Sequence, residues 1–224
     1  MTTVSAILLA MTAVSGIIDA VSFLALGHVF TANMTGNVVF LGFAVGGVTN
    51  LSISRSLLAL SFFMSGALLG GWMTRAMNPQ DPRSTPVYAL VIETILLLAA
   101  SAVSIGLRAP YEDHMLKIAL VIALTAVGMG LRTAVVRKLG VPDLTTTVLT
   151  LTIAGFAADS SLAGGKNPRW GRRAAAGLAM LTGAIAGASM LAYSVALPLF
   201  VCGLMSAICA LARLHLSRRE LLNG

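Results

Sequence analysis

Hydrophobic and polar positions divide the chain into eight apolar runs, separated by short polar or Pro/Gly-bearing turns. Six of the runs are long enough for a membrane-spanning helix, which needs about 20 apolar residues. The pattern therefore predicts an all-α polytopic membrane helix bundle, with residues 1–224 forming a single membrane domain. The runs cover residues 4–27, 33–48, 56–74, 86–107, 115–136, 144–157, 174–193 and 196–214.

The second and sixth runs, 33–48 and 144–157, are too short to cross the hydrocarbon layer unaided. At 1.5 Å per residue they give roughly 21–24 Å of helix. Each follows a polar stretch, HVFTANMTGN at 28–37 and VPDLTTT at 141–147. Polar non-helical backbone survives at membrane depth only where protein or a water-filled cavity satisfies it. We therefore expect two short broken helices, or half-helices, that bring polar backbone into the bundle.

The two halves of the chain are similar to each other. A shift of 113 residues places Thr12 on Thr125 and Gly42 on Gly155 without a gap. With four extra residues in the following loop, the segment MSGALLGG falls on LTGAIAGA. The matches predict a tandem duplication, with repeat A at about 5–108 and repeat B at about 116–216.

The distribution of Lys and Arg distinguishes two topologies. If the short runs do not complete a crossing, twelve basic residues lie on the side of the N-terminus and three on the other side. If all eight runs cross, the counts are ten and five. Basic residues concentrate on the cytoplasmic side, so the steeper bias favours six full crossings plus two half-helices, with both termini cytoplasmic. Three crossings per half would make the repeats inverted, an architecture typical of secondary transporters. Eight crossings with parallel repeats are the alternative.

Composition excludes a soluble protein, because 57% of the residues are apolar, 10% are charged and the mean hydropathy is +0.91. Soluble domains carry roughly a quarter charged residues. The net charge of +7 comes from residues in the turns, where it sets membrane orientation, so we expect the lipid bilayer as partner and no nucleic acid. The start of the chain has no signal-peptide pattern, and the first run is expected to be retained.

No motif in the chain indicates an enzyme. The sequence has no phosphate-binding loop, HExxH zinc site or GxSxG nucleophile elbow. Cys202 and Cys209 lie seven residues apart in one apolar run, without a CxxC or a neighbouring His, so they are interpreted as buried thiols. We expect no catalytic residues, no metal and no cofactor.

The segment GIIDAVSFLALGHVFTANMTGNVVFLGFAVGG at 16–47 resembles the YoaK-like family of bacterial integral membrane proteins, a domain of unknown function. The resemblance depends on Asp19, Gly27, Phe30 and above all the block TANMTGN at 31–37. It implies a polytopic protein of the bacterial inner membrane. It does not supply a substrate.

Asp19 and Arg132 are charged residues inside apolar runs, where an unpaired charge costs several kcal/mol. The shift of 113 residues places them at equivalent positions in the two halves. They are candidate substrate-binding residues, as separate contacts to the two half-helices rather than as a direct salt bridge. The alternatives are that Asp19 is a structural hydrogen-bonded carboxylate and that Arg132 extends toward the turn beside Arg137 and Lys138.

Small polar residues precede both short runs and are favoured helix N-caps. Two half-helices starting there would point free N–H groups at a shared centre, which favours an anion or another polar solute. Gly36 would allow a close approach to the backbone. The alternative is that the polar groups satisfy only one another. The candidate substrate-binding residues are Asn33, Thr35, Gly36 and Asn37 in the first half, and Thr145, Thr146 and Thr147 in the second.

Other residues receive narrower interpretations. Glu93 lies in the middle of its run, and Asp19 or Glu93 is a candidate for proton coupling. His28 is interpreted as structural rather than as a titrating group. The GxxxG spacings at 66–70 and 183–187 predict close helix packing within the bundle or in a homodimer.

The leading hypothesis is a secondary transporter or facilitator of a small polar or anionic solute, bound between the two half-helix N-termini. A passive channel is the second hypothesis. The third is a structural or regulatory membrane protein without transport activity.

Overall fold

A computed structural model describes residues 3–49, 51–76, 85–107, 114–139, 149–166 and 170–222. All regular secondary structure in these ranges is helical, as predicted. The helices are α1 (Thr3–Ala25), α2 (Met34–Val45), α3 (Ile53–Ala76), α4 (Thr85–Val103), α5 (Met115–Leu139), α6 (Leu149–Ala158), a short 3₁₀ helix (Ser161–Ala163), α7 (Trp170–Leu191) and α8 (Ala196–Leu222).

Every apolar run of the sequence contains one of these α-helices. Helices α1, α3, α4, α5, α7 and α8 are long and apolar enough to cross a membrane. Helices α2 and α6 have only 12 and 10 residues. The prediction of six long spans and two short helices is therefore confirmed within the described ranges.

Two residues with left-handed backbone form the turn between the first two apolar runs. Helix α1 ends at Ala25, and Gly27 and His28 follow with φ angles of +93° and +59°. Glycine adopts such angles without steric cost, whereas His does so rarely. The two residues turn the chain back toward α1 before α2 begins.

The core lies between α1, α4, α5 and α8, which supply most of the buried apolar side chains. Helices α3 and α7 lie outside them and bury mainly small residues, such as Ala59, Gly66 and Gly183. Their large side chains, including Leu68 and Leu178, are exposed. This distribution is typical of helices whose outer faces contact lipid.

The two halves of the chain interlock. Helix α1 packs on α7, α3 packs on α5, and α4 packs on α8, while α4 also contacts α5 and α1 contacts α8. The main partner of each long helix in one half thus lies in the other half. The short helices sit at the edge, with α2 on α3 and α6 on α7.

Glycines bring two helix pairs into backbone contact, as the GxxxG spacings predict for packing within the bundle. A methyl group on Gly66 would overlap the backbone of Val127, and one on Gly183 would overlap the backbone of Ala13. Gly70 lies against Leu131 in the same way. The pairs α3–α5 and α1–α7 depend on these glycines.

These contacts recur in the two halves with a constant spacing. The partner of Gly183 on α1 and the partner of Gly66 on α5, Ala13 and Val127, are 114 residues apart. A spacing of 114 residues places Arg132 on Ile18, whereas the 113-residue shift of the sequence places it on the next residue, Asp19. The contacts agree with similar halves, but the duplication and the relative orientation of the halves stay predictions.

We expect Gly66→Ala to lower the stability of the bundle by about 1–3 kcal/mol, because the added methyl group must push α3 away from α5. Apparent melting temperature in detergent micelles measures this. Gly71→Ala is the matched control, since a methyl group there meets nothing within 4 Å. Equal melting temperatures for the two variants would contradict the glycine contact.

Candidate functional site

A buried ion pair lies at the centre of the bundle. Arg132 on α5 donates from Nη1 to Oε1 of Glu93 on α4 at 2.8 Å. The side chains are 5% and 0% exposed, so Arg132 does not extend toward the turn beside Arg137 and Lys138, and that alternative is excluded. Nη2 of Arg132 donates to Oγ of Ser15 on α1. One guanidinium therefore joins three helices.

The remaining neighbours of the pair are weak acceptors and thiols. The guanidinium also contacts the sulfurs of Met11 at 3.6 Å and Met129 at 3.2 Å. Cys202 on α8 is buried with its sulfur 3.9 Å from the carbonyl oxygen of Val14. Cys209 is buried as well, as predicted for both thiols.

Among the described residues, only one of the two carboxylate oxygens of Glu93 has a hydrogen-bond partner. Its Oε1 accepts from Arg132, whereas Oε2 is buried and has no hydrogen-bond partner in the part of the chain that the structure describes. A buried acceptor without a partner costs about 1–3 kcal/mol. Such an atom is a candidate place for a proton.

Asp19 is held by amides. Its Oδ1 accepts from the backbone N–H of Ala32 at 3.0 Å, and its Oδ2 accepts from Nδ2 of Asn33 at 2.5 Å. Both donors belong to the block that carries the family resemblance. Asp19 therefore ties the loop between α1 and α2 back onto α1, and it makes no bond to Arg132 among those that the structure describes.

Asn37 on α2 bonds to the backbone of the same loop through two hydrogen bonds. Its Oδ1 accepts from the backbone N–H of Phe30 at 2.8 Å, and its Nδ2 donates to the carbonyl oxygen of Phe30 at 2.5 Å. Gly36 lies against the ring of Phe30, where a methyl group would crowd it. The rings of Phe23 and Phe30 stack at 5.4 Å. Two residues of the block thus shape the loop.

The predicted capping role is wrong for Asn33. Asn33 stands at the N-cap position of α2 but makes no side-chain cap bond there, because its amide group is turned toward Asp19. Thr35 is exposed and Asn37 is buried, so the three polar residues face different surroundings. Thr145, Thr146 and Thr147 lie outside the described residues. His28 is exposed at the loop, with its ring edge-on to Phe23.

Two cavities adjoin these groups. An open groove of about 390 Å³ between α1, the start of α2 and α7 is lined by Asp19, Asn33 and Phe30. A smaller pocket of about 40 Å³ lies between α1, α4, α5 and α8, and Arg132 and Arg213 line it among apolar side chains. Within the described ranges, no three His, Cys, Asp or Glu side chains cluster to hold a metal ion.

A protein-family model described as "Protein of unknown function (DUF1275)" matches residues 7–212. The chain belongs to this family.

One curated relative of this DUF1275 chain is the UPF0700 transmembrane protein YoaK of Bacillus subtilis (strain 168), which is 39% identical over 148 residues. The match covers 66% of this chain and 63% of the relative, so it spans less than two thirds of that protein. No solved structure matches the chain. With six candidate spans and a transmembrane relative, this DUF1275 chain is a multi-pass membrane protein of a YoaK-like family.

The sequence identified Asp19, Arg132 and Glu93 as charged residues inside apolar runs, and it predicted no direct salt bridge between Asp19 and Arg132. The described residues agree, since Asp19 bonds to Ala32 and Asn33 before α2 and Arg132 pairs with Glu93. The pairing of Arg132 with Glu93 itself was not predicted. Ser15 was also missed as a hydrogen-bond partner of Arg132. The available signal was that Arg132 and Glu93 are the opposite charges of two neighbouring runs.

We expect Asn37→Ala to lower stability by about 2 kcal/mol, because Phe30 loses two bonds worth about 1 kcal/mol each. Thr35→Ala is the matched control, since Thr35 lies on the same helix and is exposed. Melting temperatures of the two purified variants test whether the bonds between Asn37 and Phe30 stabilise the protein. A drop of the same size in both would show that Asn37 has no special role.

We expect Arg132→Met to lower stability by about 3–5 kcal/mol, because Glu93 would stay buried without its cation. Adding Glu93→Gln to this variant should recover part of the loss, since no buried charge is then left. Asp159→Asn is the control: Asp159 is 47% exposed in its pair with Arg173, and such pairs contribute about 0–1 kcal/mol. Thermal unfolding followed by tryptophan fluorescence measures these three variants and Glu93→Gln alone, and additive losses in the double variant would disprove coupling between Arg132 and Glu93.

Proposed function

We propose that this chain is a secondary transporter or facilitator that moves a small polar or anionic solute across the bacterial inner membrane. The observation that carries the proposal is a buried polar stripe on α1, in which Asp19 lines the groove and Ser15 bonds to Arg132, a residue that lines the pocket. The proposal also takes both termini as cytoplasmic, as the Lys and Arg bias indicates.

The stripe consists of Thr12, Ser15, Asp19 and Ser22, all of which are buried. Spacings of three and four residues place them on one face of the helix. From Thr12 to Ser22 the face extends about 15 Å at 1.5 Å per residue. The hydroxyl groups of Thr12, Ser15 and Ser22 bond to carbonyl oxygens of their own helix, so only Asp19 brings a charge from this helix to the core.

The two cavities occupy successive parts of α1. The pocket at Arg132 contacts α1 from Val4 to Met11, and the groove at Asp19 contacts it from Gly16 to Leu24. Ser15, which accepts from Arg132, lies between the two and close to the middle of the helix. In secondary transporters the binding site lies near the bilayer midplane between two access routes.

The charged residues inside the long helices support the proposal that this part of the bundle binds a solute. Ionisable residues inside membrane spans are costly and typically mark substrate or ion pathways. Here Arg132 lines the pocket, Asp19 lines the groove, and Glu93 is buried in the ion pair with Arg132, each on a different long helix. In the proposed cycle the contact between Arg132 and Ser15 separates the cavities, and it breaks when solute binds.

Counterflow in proteoliposomes tests the proposal. We expect liposomes containing the wild-type chain to show saturable counterflow of at least one labelled probe among pyruvate, glycine, phosphate and chloride. Arg132→Gln should reduce the rate at least about tenfold, the effect of losing roughly 1.4 kcal/mol of solute interaction. Reconstituted protein amounts are matched by size-exclusion profile before the assay.

Asp159→Asn serves as the control, because Asp159 is an ion-paired carboxylate that lines neither cavity. Its counterflow should equal that of the wild type. Flux that does not saturate and shows no counterflow would indicate a passive channel instead. No flux of any probe would contradict transport.

A further inference from the structure

We propose that the groove between α1, the start of α2 and α7 binds an organic ammonium group carried on an apolar body, and that Asp19 is the residue that recognises the charge. Neither the family resemblance nor the proposed transport function assigns a cation to this groove. Binding here does not depend on transport, and it is tested without measuring flux.

The ionised carboxylate of Asp19 has no cationic partner in the part of the chain that the structure describes. It accepts from the backbone N–H of Ala32 and from the side-chain amide of Asn33, and the backbone N–H groups of Thr31 and Asn33 also face it. All these donors are neutral. The dipole of α2 adds roughly half a positive charge at its N-terminus. A net negative charge therefore remains at Asp19.

This charge is accessible from the groove. Asp19 is 5% exposed, and it lines the open groove of about 390 Å³ together with Asn33. A carboxylate inside a membrane span is costly unless a cation compensates it. A cationic ligand in the groove would supply that compensation, and it would reach the carboxylate without passing through the core.

The same geometry disfavours an anion. The amide donors before α2, which the sequence pattern predicted to attract an anion, already bond to Asp19. An anion in the groove would be repelled by this carboxylate. Among the residues with described positions, no Lys, Arg or His lines the groove to offset the repulsion. The charge of the groove therefore selects for a cation.

The walls of the groove fit an apolar body beside the ammonium group. The rings of Phe23 and Phe30 line it, and α7 contributes Met180, Ala184 and Ala188. A cation within about 6 Å of the centre of an aromatic ring is attracted to the ring. Metal ions such as Ca²⁺ take about six to eight oxygen ligands, which these walls do not provide. At roughly 30 Å³ for each water-sized group, the groove has room for an amine of about eight heavy atoms.

Calorimetric titration of the purified full chain in detergent with benzylammonium tests the site. A primary amine is protonated at about pH 7.5, and the benzyl ring represents the apolar body. We expect saturable binding. Benzyl alcohol, which has the same shape without the charge, should not displace the amine, and neither should benzoate, an anion of similar size.

Two variants test the two parts of the site. Asp19→Asn should raise the Kd for benzylammonium at least about tenfold, because the charge is lost while an acceptor oxygen remains. Ala188→Leu should raise it by a similar factor, because the larger side chain enters the groove from α7. Ala186→Leu is the matched control, since Ala186 is exposed on the same helix and does not line the groove. Its Kd should equal that of the wild type.

Two sources can supply such an ammonium group, a soluble amine and the headgroup of phosphatidylethanolamine. Displacement of benzylammonium by short-chain phosphatidylethanolamine, but not by short-chain phosphatidylglycerol, would identify the lipid headgroup as the ligand. If neither lipid displaces it, the ligand is a soluble amine. Equal displacement by both lipids would show that acyl chains fill the groove without recognition of the charge, and it would overturn the proposal.

Other results also overturn it. These are no binding of benzylammonium, displacement by benzyl alcohol, an unchanged Kd in Asp19→Asn, or equal Kd values in Ala188→Leu and Ala186→Leu. If Asp19→Asn does not fold, the two alanine variants and the competition with benzyl alcohol decide. Benzylammonium binding without flux of any probe would refute only the transport function, whereas counterflow without benzylammonium binding would refute only this site.

Discussion

A guanidinium at the centre of a helix bundle has to be matched by an acid and by neutral acceptors, and this requirement organises the core. Arg132 meets it with Glu93 from α4 and Ser15 from α1, so the positions of three helices depend on one side chain. Removing either charge alone would leave the other buried, which costs far more than the pair itself contributes. The pair is therefore better understood as a constraint on how the helices are arranged than as a source of stability.

The chain handles its two central carboxylates in different ways. Glu93 is matched by a cation and keeps one oxygen without a partner, whereas Asp19 is surrounded by amide donors of the loop between α1 and α2. The first arrangement leaves a group that can still accept a proton. The second holds Asn33 and Ala32 in place, while Asn37 holds Phe30 from the other side. The block TANMTGN thus has a structural role in shaping the loop, and Asn33 also lines the groove.

The lengths of the apolar runs were enough to predict the eight α-helices of the described residues, because each run is bounded by polar or Gly-bearing turns. The GxxxG spacings also predicted close packing, which Gly66 and Gly183 show. Partner choice could not be predicted. Arg132 and Glu93 are the opposite charges of two neighbouring runs, but they lie 39 residues apart, and that signal does not tell which faces of the two helices meet. The turn of Asn33 toward Asp19 was missed for the same reason, since N-cap preference is a local rule and Asp19 is 14 residues away.

The interlocked pairing of the halves has a consequence for biogenesis. Helix α1 is synthesised before its glycine-lined partner α7, which begins about 150 residues later at Trp170. Until then Gly16 and Asp19 lack the neighbouring helix that covers them in the finished bundle. The contacts between α1 and α7 can therefore form only after the second half of the chain has been synthesised.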